Sequence, residues 1–218
     1  MATFLTDTFT GIGSGGNLVT HTGETGATWT RVGAADFKGD GAGRIHLTAG
    51  ATDDWYYDYA SGLPAGANYD VTCVILTNTG VSGCMARGST STLSGYVACH
   101  DPLGLNGDPA GILLYKVSGG LIGMVTLGRF STTLSAGSHT IVLSLSGTNL
   151  SVSLDGTPRI SASDSTFALA GRAGVFGYPQ TGADFTIDSI SAADGIGTPP
   201  IPDRYFRKLQ AISRAANW

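Results

Sequence analysis

The sequence predicts an all-β chain folded as an antiparallel sandwich of two sheets, with a short C-terminal extension for which a helix is expected. Three observations lead there. Glycine fills 33 of 218 positions and charged residues make up only 13%, a composition rich in turn formers and poor in the Glu, Lys and Ala that cover helix surfaces. From about residue 69 onward, runs of strand length alternate with clusters of Gly, Asn, Asp and Ser. The runs number on the order of a dozen, more than an open sheet usually carries without splitting into two packed layers.

The first explicit strand is Tyr69 to Leu76, where Tyr69, Val71, Cys73 and Ile75 share one face at a period of two. Asn78-Thr79-Gly80 turns the chain. Cys84 to Arg87, Gly95 to Cys99 and Ile112 to Val117 follow, the last two parted by a Gly/Pro/Asp-rich loop from Asp101 to Gly111, and Ser118-Gly119-Gly120 turns again. The clearest hairpins run Thr140 to Leu145, then Gly147-Thr148-Asn149, then Leu150 to Leu154, then Asp155-Gly156. Ile141, Leu143 and Leu145 alternate with polar or smaller neighbours, and Leu150, Val152 and Leu154 alternate with serine. Asp-Gly suits a tight turn because glycine takes φ > 0 without steric cost. Gly174 to Tyr178 and Asp184 to Ile190 supply the closing strands. No repeat of about 20 to 50 residues is visible, which argues against a solenoid or propeller.

Composition changes after Asp194. Residues 1–194 are assigned to the sandwich and residues 195–202 to an extended linker, whose Pro199, Pro200 and Pro202 lack the donors of a central strand. Residues 203–218 form a basic amphipathic segment: Asp203 is a suitable N-cap, and Phe206, Leu209 and Ile212 recur at helical spacing. Arg204, Tyr205, Phe206, Arg207, Lys208, Leu209, Ile212 and Trp218 are the candidate anchor for a partner. A helix of about a dozen residues is marginal alone and needs a surface to bury its stripe. That surface is its own domain, another subunit or a larger assembly.

Net charge is −4, which argues against broad binding to nucleic acid or anionic lipid. The distribution is uneven. Arg204, Arg207, Lys208 and Arg214 face a single carboxylate, Asp203, so residues 198–218 carry +3; eight cationic against fifteen anionic side chains leave −7 elsewhere. Cys73, Cys84 and Cys99 cannot all pair within one chain, so reduced thiols are expected. The opening Met1-Ala2-Thr3-Phe4-Leu5-Thr6-Asp7 has neither a basic nor an apolar region of the kind a signal peptide needs. No stretch approaches the roughly 20 apolar residues of a membrane span. Folding in a cytoplasm is expected.

Taken in order, the segments Phe4 to Phe9, Tyr69 to Leu76, Ala86-Arg87-Gly88 with Gly95-Tyr96-Val97, Leu114 to Val117, Leu150 to Gly156, Gly171 to Val175 and Asp184 to Ile190 resemble the concanavalin A-like lectin/glucanase superfamily, its laminin-G-like branch above all. The resemblance implies two antiparallel sheets with jelly-roll connections, a fold shared by lectins, glycoside hydrolases, adhesion modules and virion proteins, so fold does not choose among them. Thr6-Asp7-Thr8-Phe9, His21 to Gly26 and the added tail are similar to versions carried by tailed bacteriophages.

The glucanases of that superfamily place two glutamates and an aspartate on one strand, because glycoside cleavage needs an acid and a nucleophile or base flanking the bond. This chain has one glutamate, Glu24, in a loop-like stretch; Asp53 and Asp54 are adjacent and would point to opposite faces of a strand. His21, His46, His100 and His139 are scattered without zinc-site spacing, and no phosphate-binding loop occurs. No cofactor is expected, with calcium the exception to examine: Asp53, Asp54 and Asp58 form one oxygen-rich group and Asp101, Asn106 and Asp108 another, each with solvated turns as the simpler account. Asp54-Trp55-Tyr56-Tyr57-Asp58-Tyr59 is the densest aromatic segment, and rings beside carboxylates are what a sugar-binding surface uses. If extended, Trp55, Tyr57 and Tyr59 share one face, expected to lie in the inter-sheet core, and Tyr56 takes the exposed one. Trp55, Tyr56, Asp54 and Asp58 are the candidate carbohydrate site.

Together these features lead to a non-enzymatic virion component: a capsid decoration, fibre-like or tail-associated protein, anchored to capsid or tail subunits by its C-terminal segment and homo-oligomeric in the assembly. Contact with cell-surface glycans accompanies that reading. The alternatives are a stand-alone carbohydrate-binding module and a glycoside hydrolase.

Overall fold

A computed structural model gives the architecture over residues 2–32, 37–47, 55–77, 80–104, 107–120, 123–178 and 185–195. The strands in chain order are β1 (Thr3–Asp7), β2 (Trp29–Val32), β3 (Lys38–Gly39), β4 (Ile45–Leu47), β5 (Tyr56–Ala60), β6 (Tyr69–Leu76), β7 (Val81–Gly88) and β8 (Gly95–Asp101). They continue with β9 (Gly111–Val117), β10 (Val125–Ser131), β11 (Ser138–Ser146), β12 (Asn149–Leu154), β13 (Thr157–Ser163), β14 (Arg172–Tyr178) and β15 (Phe185–Asp194). A short 3-10 turn spans Leu18–Thr20.

These strands form two antiparallel sheets. One runs β13-β12-β11-β6-β15-β4-β3, with β1 also paired to β15; the other runs β10-β9-β8-β7-β14-β5-β2. Hairpin neighbours such as β11–β12–β13 and β7–β8–β9–β10 are joined in each sheet to strands distant in sequence, β6 to β11 and β15 in one and β14 to β7 and β5 in the other, as a jelly roll requires, and the all-β two-sheet sandwich is the expected fold class. The period-two reading holds strand by strand. Tyr69, Val71, Cys73 and Ile75 of β6 are fully buried while their neighbours are partly exposed, and β11 and β12 bury Ile141, Leu143, Leu145, Leu150, Val152 and Leu154. Between the sheets these meet Tyr56, Cys84, Ala98, Leu114 and Val175 from the inner face of the seven-stranded sheet. The Cys84 thiol lies 3.8 Å from the Val71 carbonyl across that layer. Cys73, Cys84 and Cys99 are free and buried, and burial pushes the Cys84 thiol up to about 12.

Turn chemistry closes the hairpins. Asp155 and Gly156 both take positive φ, 49° and 73°, the backbone of a two-residue hairpin turn matched to strand twist. The β11–β12 connection is one residue shorter than its sequence reads, because Asn149 already pairs with Ser146. At the sandwich edge, Pro158 of β13 pairs with Ser153 beside a register shift, and the Arg159 guanidinium lies 4.4 Å from the centre of the Phe130 ring on β10. One margin of the two sheets is thereby stitched by side chains.

Four strands before residue 69, namely β2, β3, β4 and β5, together with β10 and β13, extend the sequence reading. They are short or carry no clean alternation: β3 has two residues and β4 three. The linker beyond Gly195 and the segment 203–218 lie outside the described residues.

Candidate functional site

The aromatic segment occupies β5 and the residue before it. Gly177 pairs with Tyr56, Phe176 with Tyr57, Val175 with Asp58 and Gly174 with Tyr59. Paired residues of an antiparallel ladder point to the same side, so Tyr56 and Asp58 look into the sandwich beside Val175, while Trp55, Tyr57 and Tyr59 lie on the outer face with Phe176. Trp55 stacks on Phe176 at 4.9 Å between ring centres and approaches Tyr178 at 4.8 Å. The expected sharing of a face by Trp55, Tyr57 and Tyr59 is observed, but the two faces are exchanged. Tyr56, expected as the exposed ring, is 1% exposed and part of the inter-sheet core, and Asp58 is fully buried. Alternation fixes which residues go together; it cannot say which set goes inward when both faces of a sheet are apolar.

Asp53 and Asp54 lie outside the described residues, and Asp58 turns into the core, so it offers no oxygen to a surface calcium site. Of the second group, Asn106 also lies outside the described residues. Asp101 Oδ1 accepts the Leu103 and Gly104 N–H groups at 2.8 and 3.0 Å, and Asp108 accepts Thr126 and Arg129. No cluster of three His, Cys, Asp or Glu side chains suited to a metal occurs among the described residues.

Two polar networks that sequence reading left as loops are structural clamps. Buried Asp7 accepts the Phe9 N–H at 2.7 Å, the Trp29 indole N–H at 2.7 Å and lies 3.0 Å from His21 Nε2. Glu24 accepts the Thr8 hydroxyl and its backbone N–H at 3.2 Å. Partial burial raises its pKa, but these bonds outweigh that and hold it below its usual value. Both carboxylates near this corner are therefore engaged in holding the chain.

The second network has the residue types of a nucleophilic triad. His139 Nδ1 is 2.8 Å from Asp155 Oδ2, and Ser135 Oγ is 3.5 Å from Nε2. Nε2, however, is 3.0 Å from the Ser135 carbonyl, which only accepts. Acceptors at both ring nitrogens favour the imidazolium form, which has no lone pair to take a proton from serine. Desolvation alone would lower the His139 pKa, but the bonds to Asp155 and Ser135 raise it. The cluster fastens β11 to the β12–β13 turn.

A cleft opens at the end of the sandwich, where β7, the 89–94 loop and the 164–171 loop converge. Its cavity is about 270 Å³. Arg87 forms the floor. This residue is 3% exposed and has φ of 50°. Its guanidinium donates to three carbonyls: Ala67 at 2.8 and 3.1 Å, Gly147 at 2.8 Å and Phe167 at 2.7 Å. It also lies 5.9 Å from the centre of the Tyr96 ring. The cation thus ties three loops and spends its donors inside the protein.

The cleft wall is held as firmly. The Tyr96 hydroxyl donates to Asp164 at 2.8 Å and accepts the Phe167 N–H at 3.2 Å, and the two rings meet edge to face at 5.2 Å. Lys116 Nζ reaches Asp164 at 2.8 Å and Thr166 at 3.1 Å. Burial opposes ionisation of Asp164, but the bonds from Lys116, Thr166 and Tyr96 prevail and keep its carboxyl far below the usual range. The lining presents hydroxyls of Ser89, Ser94 and Thr166, the Phe167 ring and Leu169, which is 81% exposed. It contains no Asp or Glu, and Arg87 is its one charged member.

No protein-family model matches this chain, and no curated protein matches it by sequence. Solved structures match it in fold. A protein of unknown function with a galectin-like fold from Bacillus subtilis has a TM-score of 0.64 at 10% identity, over 91% of this chain and 98% of its own. The carbohydrate-binding module CBM66 from Bacillus subtilis has a TM-score of 0.57 at 15% identity, over 76% of this chain and 94% of its own. A glycosyl hydrolase family protein from Mycobacterium fortuitum has a TM-score of 0.55 at 14% identity, over 88% of this chain and 100% of its own. The fold is a two-sheet jelly roll similar to the galectin-like fold; at these identities the likeness extends to the fold alone.

Proposed function

We propose that this chain is a carbohydrate-binding module and that a sugar residue sits in the cleft between the 89–94 and 164–171 loops. One observation carries the proposal: the hydroxyl-bearing Ser89, Ser94 and Thr166 line the same cleft as the apolar Phe167 and Leu169, and the one charge in the lining is consumed by carbonyls. Such a surface suits a neutral ligand with an apolar face and many hydroxyls, which is the chemistry of a pyranose or furanose ring. The likeness in fold to the carbohydrate-binding module CBM66 adds support. Binding without hydrolysis is the reading adopted, since the lining supplies no carboxylate for acid and base roles. Display of the module on a virion, by contact with capsid or tail proteins, is a separate proposal about location that the cleft does not require.

Titration calorimetry of the full chain against a panel of neutral oligosaccharides tests it, alongside Phe167→Ala and Thr166→Val. Binding by the native chain that weakens at least tenfold in each variant, with unchanged circular dichroism, is expected. Affinity unaltered by both substitutions, or no binding across the panel, overturns the assignment.

A further inference from the structure

The 164–171 loop is fixed at both ends and at Phe167, yet it keeps an apolar run in water. Asp164 N–H donates to the Thr148 carbonyl at 2.9 Å, and its carboxylate accepts the Tyr96 hydroxyl at 2.8 Å. Phe167 donates its N–H to that hydroxyl at 3.2 Å, and its carbonyl accepts Arg87 at 2.7 Å. The Gly171 carbonyl accepts the Tyr69 hydroxyl at 3.0 Å, and a Cβ on Gly171 would meet the Arg87 backbone at 2.6 Å. Between these anchors Ala168, Leu169 and Ala170 are exposed, Leu169 by 81%. A loop free to move would turn such a side chain inward. This one presents it, and all three residues line the cleft. Apolar surface held in place before a ligand arrives is a seat for an apolar group that the ligand brings.

The polar part of the lining is one-sided. Ser94 Oγ accepts the Gly119 N–H at 2.8 Å, Ser89 Oγ accepts the Ser91 N–H at 3.3 Å, and Thr166 Oγ1 accepts the Lys116 ammonium at 3.1 Å. A hydroxyl has one hydrogen to donate and two lone pairs to accept with. With acceptor sides engaged by the protein, these residues meet a ligand mainly as donors. The matching group is a neutral acceptor, and a carbonyl oxygen serves better than a hydroxyl, which brings a hydrogen of its own.

Resting on the carbohydrate reading, we propose that the ring bound in this cleft is that of an acetamido sugar. Its acetyl methyl sits on Leu169 between Ala168 and Ala170, and its carbonyl oxygen accepts from the serines of the 89–94 loop. One substituent meets both requirements, because methyl and acceptor oxygen hang from the same carbon. A 6-deoxy sugar supplies the methyl without the acceptor, and an unsubstituted hexose has no methyl. The free amino sugar is disfavoured, since its ammonium finds no carboxylate in the lining. Size agrees. A cavity of about 270 Å³ is smaller than the roughly 300–1,000 Å³ of drug-sized pockets and suits one substituted ring.

Amide-detected NMR titration of the full chain with matched pairs tests the proposal: N-acetylglucosamine against glucose, N-acetylgalactosamine against galactose, and N-acetylmannosamine against mannose. L-Fucose and L-rhamnose serve as methyl-bearing sugars without the amide. In at least one pair the acetamido member is expected to bind at least about fourfold tighter, the worth of one buried methyl, and Leu169→Ser to bring that ratio within about twofold of unity. Shifts at Ala168, Ala170 and Ser94 accompany binding. Equal affinities within every pair, with cleft signals moving, overturn the acetamido assignment and leave the carbohydrate reading standing. Tighter binding of the 6-deoxy sugars than of every acetamido sugar overturns it too, as does a preference that survives Leu169→Ser. Absence of binding by all the sugars takes down the carbohydrate reading and this inference with it.

Discussion

The Tyr69 hydroxyl on β6 donates to the Gly171 carbonyl at 3.0 Å and accepts the backbone N–H of Arg87. One oxygen thereby joins the eight-stranded sheet to β7 of the other and to the 164–171 loop, at the base of the cleft. Removing it leaves a buried donor and a buried acceptor in the folded chain. Tyr69→Phe is therefore expected to destabilise by about 2–3 kcal/mol, read as a lower urea midpoint, and to weaken any ligand of the cleft. A midpoint unchanged by the substitution would show that the oxygen does not hold the sheets together.

Arg87 has two separable roles, backbone and guanidinium. At φ of 50° it stands where side chains cost roughly 1 kcal/mol and glycine is free. Arg87→Ala and Arg87→Gly both strip the three carbonyls of their donor, at about 3 kcal/mol. Only alanine keeps the backbone penalty, so the glycine variant is expected to be the more stable of the two by up to about 1 kcal/mol in paired denaturation curves. The reverse order would refute backbone strain at this position.

Gly171 touches the same residue from the other side. A Cβ there would stand 2.6 Å from the Arg87 carbonyl carbon, closer than real contacts allow. Gly171→Ala must push the 164–171 loop from β7, with an expected loss of about 1–3 kcal/mol and a reshaped cleft. Chemical-shift changes that spread to Phe167 and Ser89 would report it; shifts confined to Gly171's immediate neighbours would contradict it.

Two histidines set opposite pH limbs. Burial, aided by the charge on His139, pushes the His100 imidazole down to about 4. Between about pH 6.5 and 4 the unfolded chain takes up a proton that the folded chain refuses, so stability falls with falling pH by up to roughly 3 kcal/mol. His139 behaves inversely. Desolvation disfavours its charge, but Asp155 and Ser135 raise its folded pKa, so its contribution is complete below about pH 6.5 and is lost as pH rises through the raised value. Stability is expected to peak near neutrality, with His100→Gln flattening the acidic limb and His139→Gln the alkaline one in melting temperatures measured from pH 4 to 8.

Strands with one buried and one wetted face were readable from the sequence: β6, β11 and β12 alternate because one side meets the core and the other meets water. β7 and β8 are buried on both sides, so alternation carries no sign there, and the same ambiguity exchanged the faces of Tyr56 and Tyr57. The cleft was hidden for another reason. Its floor and wall are joined by bonds between residues as far apart as Arg87 and Phe167, 80 positions, and nothing local marks such a pair. A weak signal existed in Ala86-Arg87-Gly88 and Gly171-Arg172, dipeptides of cation and glycine that sequence reading used only for their place in the fold. Polar clamps such as Asp7 with Trp29 were equally silent, since carboxylates in turns usually face water.

Pro158 has a consequence for how copies of this molecule meet. On the outermost strand of the eight-stranded sheet it presents no amide hydrogen, and the register shift beside it interrupts the ladder. The neighbouring guanidinium is drawn onto Phe130 of the opposite sheet, folding the edge inward. A second copy arriving alongside β13 finds a broken row of partners, so crowded copies can sit shoulder to shoulder without zipping into a continuous fibril along that margin.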